Sequence, residues 1–363
     1  MRTRPQHLTR RRFLAAAAAL GAGAALPRSA AAQGRPARPI TASHSVSTFV
    51  YAQHLVAKEK KLFEEEGVSV DKGFIVPGGG AKVVQALAAG QVMFALGDSN
   101  HPLKISEKGR EAVILFATDT RCSYANIVAR KELYDAGLTS VEKLGSMKRP
   151  GGGKWVIAAT AIGSGTYVYG NYVLEQSKGP DGRPLNSLVE WIGGGDSKTM
   201  LGGLKAGKFD AIMAVPVWLW AAEDEGFGKA IYNVLDEKVW NQVFGGPLPV
   251  TVGYCLRDTL EKAPEAVQGY VTACYRAQKW IQKAADVEIL ELLHKTYMDT
   301  FSREQVLKEI RYYRGILDWD FLVEEKEYNA ALKIFLATKV LEKEIPFARA
   351  VDMSFVRKAH QKG

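Results

Sequence analysis

Short apolar runs rich in β-branched residues alternate with amphipathic stretches over the first two thirds of the chain. The runs that predict strands are Phe74 to Val76, Val92 to Leu96, Val113 to Ala117, Trp155 to Ala159, Leu188 to Ile192 and Phe209 to Val215. The stretches that predict helices are 51–66, 81–89, 167–176 and 198–206. Strands that alternate with helices of this length favour a parallel-rich α/β architecture. From Pro264 onward the pattern is helical almost to the end.

One unit of this pattern occurs twice. Residues Gly78-Gly79-Gly80 precede a helical stretch that ends at Ala89-Gly90 and leads into an apolar strand, and Gly193-Gly194-Gly195 precede a second stretch that ends at Ala206-Gly207 and also leads into a strand. Glycine before a helix leaves backbone N–H groups accessible at its N-terminus, and glycine after it suits a left-handed C-cap. The repeat predicts two similar lobes, although a chance match of common α/β turns is the alternative.

The N-terminus carries the pattern of an export signal. A basic start is followed by an apolar stretch from Phe13 to about Leu26 and by Ala30-Ala31-Ala32, which fits an A-x-A cleavage site. The run from Thr9 to Leu14 reads as a twin-arginine motif. The apolar stretch is shorter than the roughly 20 residues of a membrane span. We therefore expect residues 1–32 to be a twin-arginine signal, cleaved near Ala32, and the mature protein to be periplasmic.

Charge and cysteine content exclude several classes of protein. Residues 1–32 hold six arginines and no acidic residue, so the overall charge of +9 falls to +3 in the remainder, which gives no reason to expect nucleic-acid binding. The cysteines Cys122, Cys255 and Cys274 are far apart, without a C-x-x-C pair, so neither a metal site nor a cofactor is predicted. In an oxidising compartment one disulfide is allowed, and three buried thiols are the alternative.

Several ordered motifs resemble the substrate-binding proteins of ABC transporters of the nitrate, sulfonate and taurine type, which include binders of thiamine-precursor pyrimidines. The resembling segments are 56–68, the run 80–92 with Leu96-Gly97-Asp98, the run 204–211 with Pro216, and 263–267. Two positions depart from the family pattern. The family often has glycine within the run Lys60-Lys61, and an acidic residue where this chain has Val215.

The resemblance implies the α/β fold of a two-lobed (type II) periplasmic binding protein, with the ligand cleft between lobes joined by two crossing strands. It places lobe one in residues 33–124 plus 256–363, with the C-terminal helices, and lobe two in 125–255. The chain would cross near Ala125 to Ala129 and return near Thr251 to Leu256. Cys122 and Cys255 would then lie close to the crossings, where a disulfide is one alternative.

Ligands of open α/β sheets bind at the carboxyl ends of the strands, so the loops there supply the candidate site residues. In lobe one these are Ser47, Tyr51, Gly79, Asp98, Ser99 and Asn100. In lobe two they are Ser164, Gly165, Thr166, Tyr167, Trp191, Gly194, Asp196, Pro216 and Trp218. Ser164 to Thr166 precede a helix, where hydroxyls and N–H groups hold an anionic or polar group; simple N-capping is the alternative.

Aromatic side chains near these loops suggest that a ring-bearing ligand stacks in the cleft. We expect two or three of six to contact it: Phe49, Tyr51, Tyr167, Trp191, Trp218 and Trp220. Arg121 is the best candidate for pairing with an anion. A sulfonate, a carboxylate and a nitrogen heterocycle all remain compatible with these residues.

The predicted function is therefore delivery of a small molecule to a membrane ABC permease by a monomeric binding protein, with no catalysis. Gly163-Ser164-Gly165 lacks the G-x-S-x-G elbow, and the histidines form no metal or acid–base motif. Two alternatives share the predicted fold. One is a TRAP-type receptor of the TAXI class, which the run Gly163 to Thr166 also resembles, and the other is a pyrimidine-synthesising enzyme.

Overall fold

The computed structural model describes residues 36–362, of which the part from Ala37 onward forms one compact unit. The predicted export signal, residues 1–32, lies outside the described residues. Among the helices of the described part, none combines the length and apolar character of a membrane span.

Two sheets organise this unit. The strands are β1 (Arg38–Pro39), β2 (Ala42–Ser43), β3 (Val68–Ser69), β4 (Phe94–Asp98), β5 (Ala112–Ala117), β6 (Asn126–Arg130), β7 (Trp155–Ala159), β8 (Val189–Gly193), β9 (Ala211–Ala214), β10 (Gly228–Tyr232) and β11 (Thr251–Leu256). A short parallel pair of β1 and β3 stands apart from both sheets.

Helices connect most of these strands and make up nearly all of the C-terminal third. They are α1 (Ala52–Glu59), α2 (Leu62–Glu65), α3 (Gly80–Ala88), α4 (Asn100–Glu107), α5 (Lys131–Asp135), α6 (Lys143–Ser146), α7 (Gly165–Gln176), α8 (Ser197–Lys205), α9 (Pro216–Asp224), α10 (Glu237–Phe244), α11 (Arg257–Lys262), α12 (Pro264–Lys283), α13 (Asp286–Tyr297), α14 (Arg303–Arg314), α15 (Glu325–Ala337), α16 (Phe347–Ala350) and α17 (Ser354–His360). The helical pattern predicted beyond Pro264 agrees with α12 to α17.

The two sheets have the same arrangement of neighbours. The first has the order β2-β4-β11-β5, and the second has the order β8-β7-β9-β6-β10. In each, a parallel pair (β2 with β4, β7 with β9) is followed by two antiparallel pairings. We call the first sheet with its helices lobe one and the second lobe two. The duplicated glycine–helix–glycine–strand unit corresponds to α3 with β4 and to α8 with β9.

The two segments that join the lobes lie at different residues from those predicted. The strand at 251–256 was expected to carry the chain back between lobes, but β11 pairs along its length with β4 and β5 of lobe one. The strand near 125–129 is β6, which lies within the second sheet. The chain therefore crosses at 118–125 and returns at 245–250, and the predicted end of lobe two at residue 255 is too late. The reason is that an apolar strand does not reveal from its own sequence which sheet it joins.

The predicted strand Phe74 to Val76 is reduced to a single bridge between Ile75 and Ser43. Ile75 and Val76 are each about two fifths exposed (42% and 41%), so this run lacks the buried face that would stabilise a longer strand. Its place beside β2 matches the place of β8 beside β7.

The predicted helix 51–66 is broken at Lys61, which has φ +56° and separates α1 from α2. A left-handed conformation costs a residue with a side chain roughly 1 kcal/mol or more and costs glycine little. This explains why glycine suits the Lys60-Lys61 run, where the chain departs from the family pattern.

Asp210, in the Gly-x-x-Asp-Ala motif before β9, anchors lobe two. Its buried carboxylate pairs with Arg149 (2.5 Å) and Arg130 (3.4 Å) and accepts a hydrogen bond from the backbone N–H of Val156 (2.8 Å). The carboxylate thus ties the start of β9 to β6 and β7. The role of this aspartate is structural.

The C-terminal helices contact both lobes. Helix α12 packs on α1, where Gln53 bonds to Gln278 at 2.7 Å. Helix α14 packs on α9 of lobe two, where the Gln305 amide donates to Asp224 at 2.9 Å. Their assignment to lobe one stays a prediction.

All three cysteines are buried free thiols. Cys255 lies in β11 opposite Val113 and Phe94, and Cys122 lies in the first crossing. The structure has no disulfide between them.

Candidate functional site

A small cavity lies between the two lobes and encloses about 370 Å³ of empty space, its opening included. Lobe one lines it with Ser45, Val46, Val50, Tyr51, Gly80 and His101. Lobe two lines it with Thr160, Ser164, Gly165, Thr166, Val215 and Trp218, and Tyr124 of the first crossing completes the wall.

Four helices begin at this cavity. Helices α3 and α7 start at lining residues Gly80 and Gly165, and His101 and Trp218 lie in the first turns of α4 and α9. The first N–H groups of a helix have no partner within the helix, and they carry a partial positive charge. Pro216 at the start of α9 has no N–H, and the Asn100 N–H at the start of α4 donates to Asp98. The first N–H groups of α3 in lobe one and α7 in lobe two are therefore the backbone donors that the cavity offers from both lobes, without a charged side chain.

Glycines allow the lobes to touch beside the cavity. A Cβ atom at position 79 would lie 3.1 Å from the carbonyl oxygen of Thr160, and one at position 78 would lie 3.6 Å from the backbone nitrogen of Asp196. Gly165 of lobe two lies directly against the carboxylate of Asp98 in lobe one. The structure shows the cleft with its walls in contact.

Three hydroxyls form a connected cluster on the lobe-two wall. The Thr160 hydroxyl lies 2.9 Å from that of Thr166 and 3.1 Å from that of Ser164, and the last two are 2.8 Å apart. Ser164 Oγ also donates to the carbonyl of Ala161 at 2.6 Å. Ser164 holds the N-cap position of α7, but its side chain makes no capping hydrogen bond to the helix. The Ser164 side chain therefore does not act as a simple N-cap, which was the alternative to ligand binding.

On the lobe-one wall the hydroxyls of Ser45 and Tyr51 are 2.7 Å apart. Burial raises the pKa of the Tyr51 phenol, so the group stays protonated. The ring of Tyr51 stacks on His44 with a centroid distance of 5.1 Å, which fixes its orientation at the cavity.

Asp98, the last residue of β4, lies behind the lining. Its carboxylate accepts hydrogen bonds from the Tyr124 hydroxyl (2.6 Å) and from the Asn100 backbone N–H (3.0 Å). Burial raises its pKa to about 6, although these hydrogen bonds oppose the shift. The Asn100 side-chain amide also donates to this carboxylate, so both polar groups of Asn100 hold Asp98 in place.

Two buried nitrogen atoms of lining residues have no hydrogen-bond partner, His101 Nε2 in lobe one and Trp218 Nε1 in lobe two. Burial lowers the pKa of His101 to about 3, so its imidazole is neutral at ordinary pH. Unpartnered polar atoms are uncommon in protein interiors, and each one calls for an explanation.

The structure brings part of the predicted site together. The predicted residues that line the cavity are Tyr51, Ser164, Gly165, Thr166 and Trp218. Four others lie next to the lining: Gly79, Asp98, Asn100 and Pro216, the last being the first residue of α9. Ser99 is also buried, and its hydroxyl has no partner. Of the six aromatic residues considered, Tyr51 and Trp218 reach the cavity.

The remaining predicted residues lie elsewhere. Ser47 and Asp196 line an adjoining open groove of about 870 Å³, where Asp196 caps α8 by accepting from the Thr199 N–H. Tyr167 and Trp191 pack edge to face with centroids 5.5 Å apart and are outside the cavity lining. Gly194 is packed against Met200, where a side chain would not fit. These five predicted residues lie at or near strand ends, as expected, but none of them lines the cavity.

Several lining residues were not predicted: Ser45, Val46, Val50, Gly80, His101, Tyr124, Thr160 and Val215. Gly80 and Thr160 were detectable, because one belongs to the glycine run and the other follows the strand Trp155 to Ala159. His101 belongs to no metal or acid–base motif in the sequence. Its place one residue into a helix that follows Asp98 was a usable signal.

No lysine or arginine lines the cavity in the described part of the chain. Arg121, the candidate for an anion, instead pairs with Glu237 at 3.3 Å. Among residues 36–362 no three His, Cys, Asp or Glu side chains are grouped closely enough to hold a metal ion.

Comparison with known proteins agrees with this architecture. A protein of the Bordetella bronchiseptica strain RB50 is 24% identical, with a TM-score of 0.75 over 91% of this chain and 99% of the other. The nitrate-binding protein NrtA of Synechocystis PCC 6803 is 13% identical, with a TM-score of 0.68 and coverage of 91% and 90%. The alkanesulfonate-binding protein SsuA of Xanthomonas axonopodis pv. citri is 14% identical, with a TM-score of 0.64 and coverage of 88% and 100%.

In sequence, the chain is 23% identical over 319 residues to YtlA of Bacillus subtilis (strain 168), whose name describes a binding protein, with 87% of each chain covered. The predicted fold and the family resemblance are confirmed. The model of the NMT1-like family matches residues 45–293, more than half of the chain, and the protein therefore belongs to the NMT1-like family.

Proposed function

We propose that this protein is the solute-binding component of an ABC importer, and that it captures a small polar or anionic organic molecule between its lobes. The observation that carries the proposal is the cavity itself, where four helix N-termini from both lobes converge. Hinged closure of two lobes on a ligand is a recurrent mode of capture. Donors from both walls would make binding depend on that closure.

The named relatives support this assignment. YtlA is named as a binding protein, and the structures that share the fold include nitrate-binding and alkanesulfonate-binding proteins. The first is described as periplasmic and the second as bound to MOPS, and at 13% and 14% identity both establish only the fold. The site of this chain must therefore decide its ligand.

A catalytic role is not part of the proposal. Nucleophilic catalysis needs a base within hydrogen-bond reach of the nucleophile. The partners of the Ser164 hydroxyl are the Thr160 and Thr166 hydroxyls and the backbone carbonyl and N–H of Ala161, none of which acts as a general base. His101 bonds instead to Tyr254.

We place the protein in the periplasm as a monomer. The periplasmic location is supported by the twin-arginine pattern from Thr9 to Leu14 and by the cleavage pattern that ends at Ala32. Mass spectrometry of the protein secreted by its host would test the cleavage site, and light scattering would test the oligomeric state.

A thermal-shift screen tests the binding function. Residues 33–363 would be screened against sulfonates, nitrate, carboxylates, pyrimidines and amino acids, since a ligand of the folded state raises the melting temperature by mass action. The double substitution Ser164→Ala with Thr166→Ala should abolish the shift. The matched control is Ser177→Ala with Thr338→Ala, which removes two hydroxyls that bond only to helix carbonyls.

Uptake of the ligand by cells tests the partner. Transport that stops when ATP is depleted, while the ion gradient is maintained, supports an ABC permease. Transport that follows the ion gradient would assign the protein to a TRAP system. Conversion of the ligand by the purified protein would replace the binding function with an enzymatic one.

A further inference from the structure

The ring of His101 is held in a slot between two glycines. A Cβ atom at position 80 would lie 2.6 Å from its Cε1, and one at position 97 would lie 2.9 Å from its Nδ1. Nδ1 is 3.2 Å from the hydroxyl of Tyr254. A phenol donates to an imidazole nitrogen more readily than it accepts from one, so the proton of the neutral ring belongs on Nε2. His101 then presents an N–H donor at the cavity wall.

Trp218 presents a second donor from the other lobe. Its side chain is fully buried in the first turn of α9, and its indole nitrogen has no partner. Trp240 and Trp155 provide a contrast, because their indole N–H groups donate to the carbonyls of Gly246 (2.9 Å) and Leu144 (3.0 Å). An indole nitrogen can only donate, so a ligand atom that pairs with Trp218 Nε1 is an acceptor.

The charges around the cavity decide whether a neutral or an anionic acceptor is favoured there. The lining has no lysine or arginine, and Val215 contributes an apolar side chain. The Asp98 carboxylate lies immediately behind Gly165, where it opposes a second negative charge. A buried anion would meet the partial positive charges of the helix N-termini but no cation, and it would face the Asp98 carboxylate, whereas a neutral acceptor needs only donors.

From this geometry we infer that His101 Nε2 and Trp218 Nε1 are the specificity-determining donors of the site, and that they bind two acceptor atoms of an uncharged organic ligand. The inference rests on the proposed binding function and narrows its ligand class. One donor belongs to each lobe, so both bonds form only when the cleft is closed.

Matched pairs of compounds test the ligand class. Each pair shares a skeleton and differs in charge: nicotinamide with nicotinate, benzamide with benzoate, and benzenesulfonamide with benzenesulfonate. The dissociation constants for the wild-type protein would be measured by calorimetry at pH 7.5. We expect the neutral member of at least one pair to bind about tenfold or more tightly than its anion, a factor that corresponds to about 1.4 kcal/mol.

Substitutions test the two donors with the tightest-binding compound. Trp218→Phe and His101→Leu should each weaken binding about tenfold or more, because each leaves a ligand acceptor unpaired. His101→Gln should recover part of the affinity, since its amide N–H can replace Nε2–H. Trp240→Phe removes a satisfied indole N–H and should leave affinity unchanged. Circular dichroism would confirm that each variant folds.

The outcomes separate this inference from the proposed function. Tighter binding of the anionic members, lost in the Ser164→Ala and Thr166→Ala double variant, would overturn the inference and leave the binding function intact. Less than a twofold effect of Trp218→Phe and His101→Leu would overturn the role of the donors. Failure of every neutral compound to bind would overturn the assigned class.

Discussion

The first residue of α7, Gly165, lies directly against the carboxylate of Asp98 at the end of β4, so the two lobes meet where both sheets present their carboxyl ends. A Cβ atom at position 165 would also lie 2.9 Å from Cε2 of Tyr124. The closed arrangement therefore needs a residue without a side chain at this position.

We expect Gly165→Ala to weaken ligand binding by about tenfold or more, because the methyl group opposes closure and closure is coupled to binding. The melting temperature without ligand should change little, since the lobes can separate. Gly202→Ala is the matched control: it adds a methyl group to another lobe-two helix, α8, where nothing lies within 4 Å. Calorimetric titration of both variants checks this. Equal affinity of Gly165→Ala and the wild type would show that the contact does not control closure.

Glu309 of α14 is predicted to make stability fall with rising pH. Its side chain is fully buried, and burial raises its pKa from 4.5 to about 8. The folded state therefore holds this proton more tightly than the unfolded state, and the free energy of unfolding declines as pH rises from about 4.5 through about 8. Glu309→Gln should make this decline shallower, because Asp98 and Asp119 also have raised pKa values, and it should be more stable than the wild type at pH 9, by a few kcal/mol.

Urea unfolding at pH 5, 7 and 9 measures the effect of Glu309→Gln. Glu304→Gln, at an exposed position in the first turn of the same helix, is the control and should leave the pH dependence unchanged. Parallel pH profiles for wild type and Glu309→Gln would contradict the prediction.

The backbone at Lys61 predicts an unusual order of stabilities. Its φ of +56° is unfavourable for residues with side chains and most unfavourable for β-branched ones. Lys61→Gly should therefore be as stable as the wild type or gain up to about 1 kcal/mol, and Lys61→Val should lose about 1 kcal/mol. Lys108 is the control, because it is also exposed but has φ −81°, and Lys108→Gly should be more destabilising than Lys108→Val. Thermal unfolding of Lys61→Gly, Lys61→Val, Lys108→Gly and Lys108→Val decides the order.

Loss of the Asp210 carboxylate should destabilise lobe two. Asp210→Ala leaves Arg149 and Arg130 without their partner and frees the Val156 N–H, so we expect a loss of about 3 kcal/mol. The exposed pair of Asp181 and Arg183 is the control, and Asp181→Ala should cost less than about 1 kcal/mol. Chemical denaturation measures both. A loss at Asp210 no larger than at Asp181 would refute its anchoring role.

The sequence by itself determined the local features of this protein. Glycine runs, apolar periodicity and the duplicated unit predicted α3 with β4 and α8 with β9, because each depends on residues close together in the chain. The same signals placed Tyr51, Ser164, Gly165, Thr166 and Trp218 near the carboxyl ends of strands, and all five line the cavity.

Only the tertiary structure decided which distant segments meet. The pairing of β11 with β4 and β5, the contact of Gly165 with Asp98, and the convergence of His101 and Trp218 join residues far apart in sequence. An apolar strand or a lone histidine has the same local signature whichever partner it finds. The partner is selected by packing of the whole chain, which local periodicity does not encode.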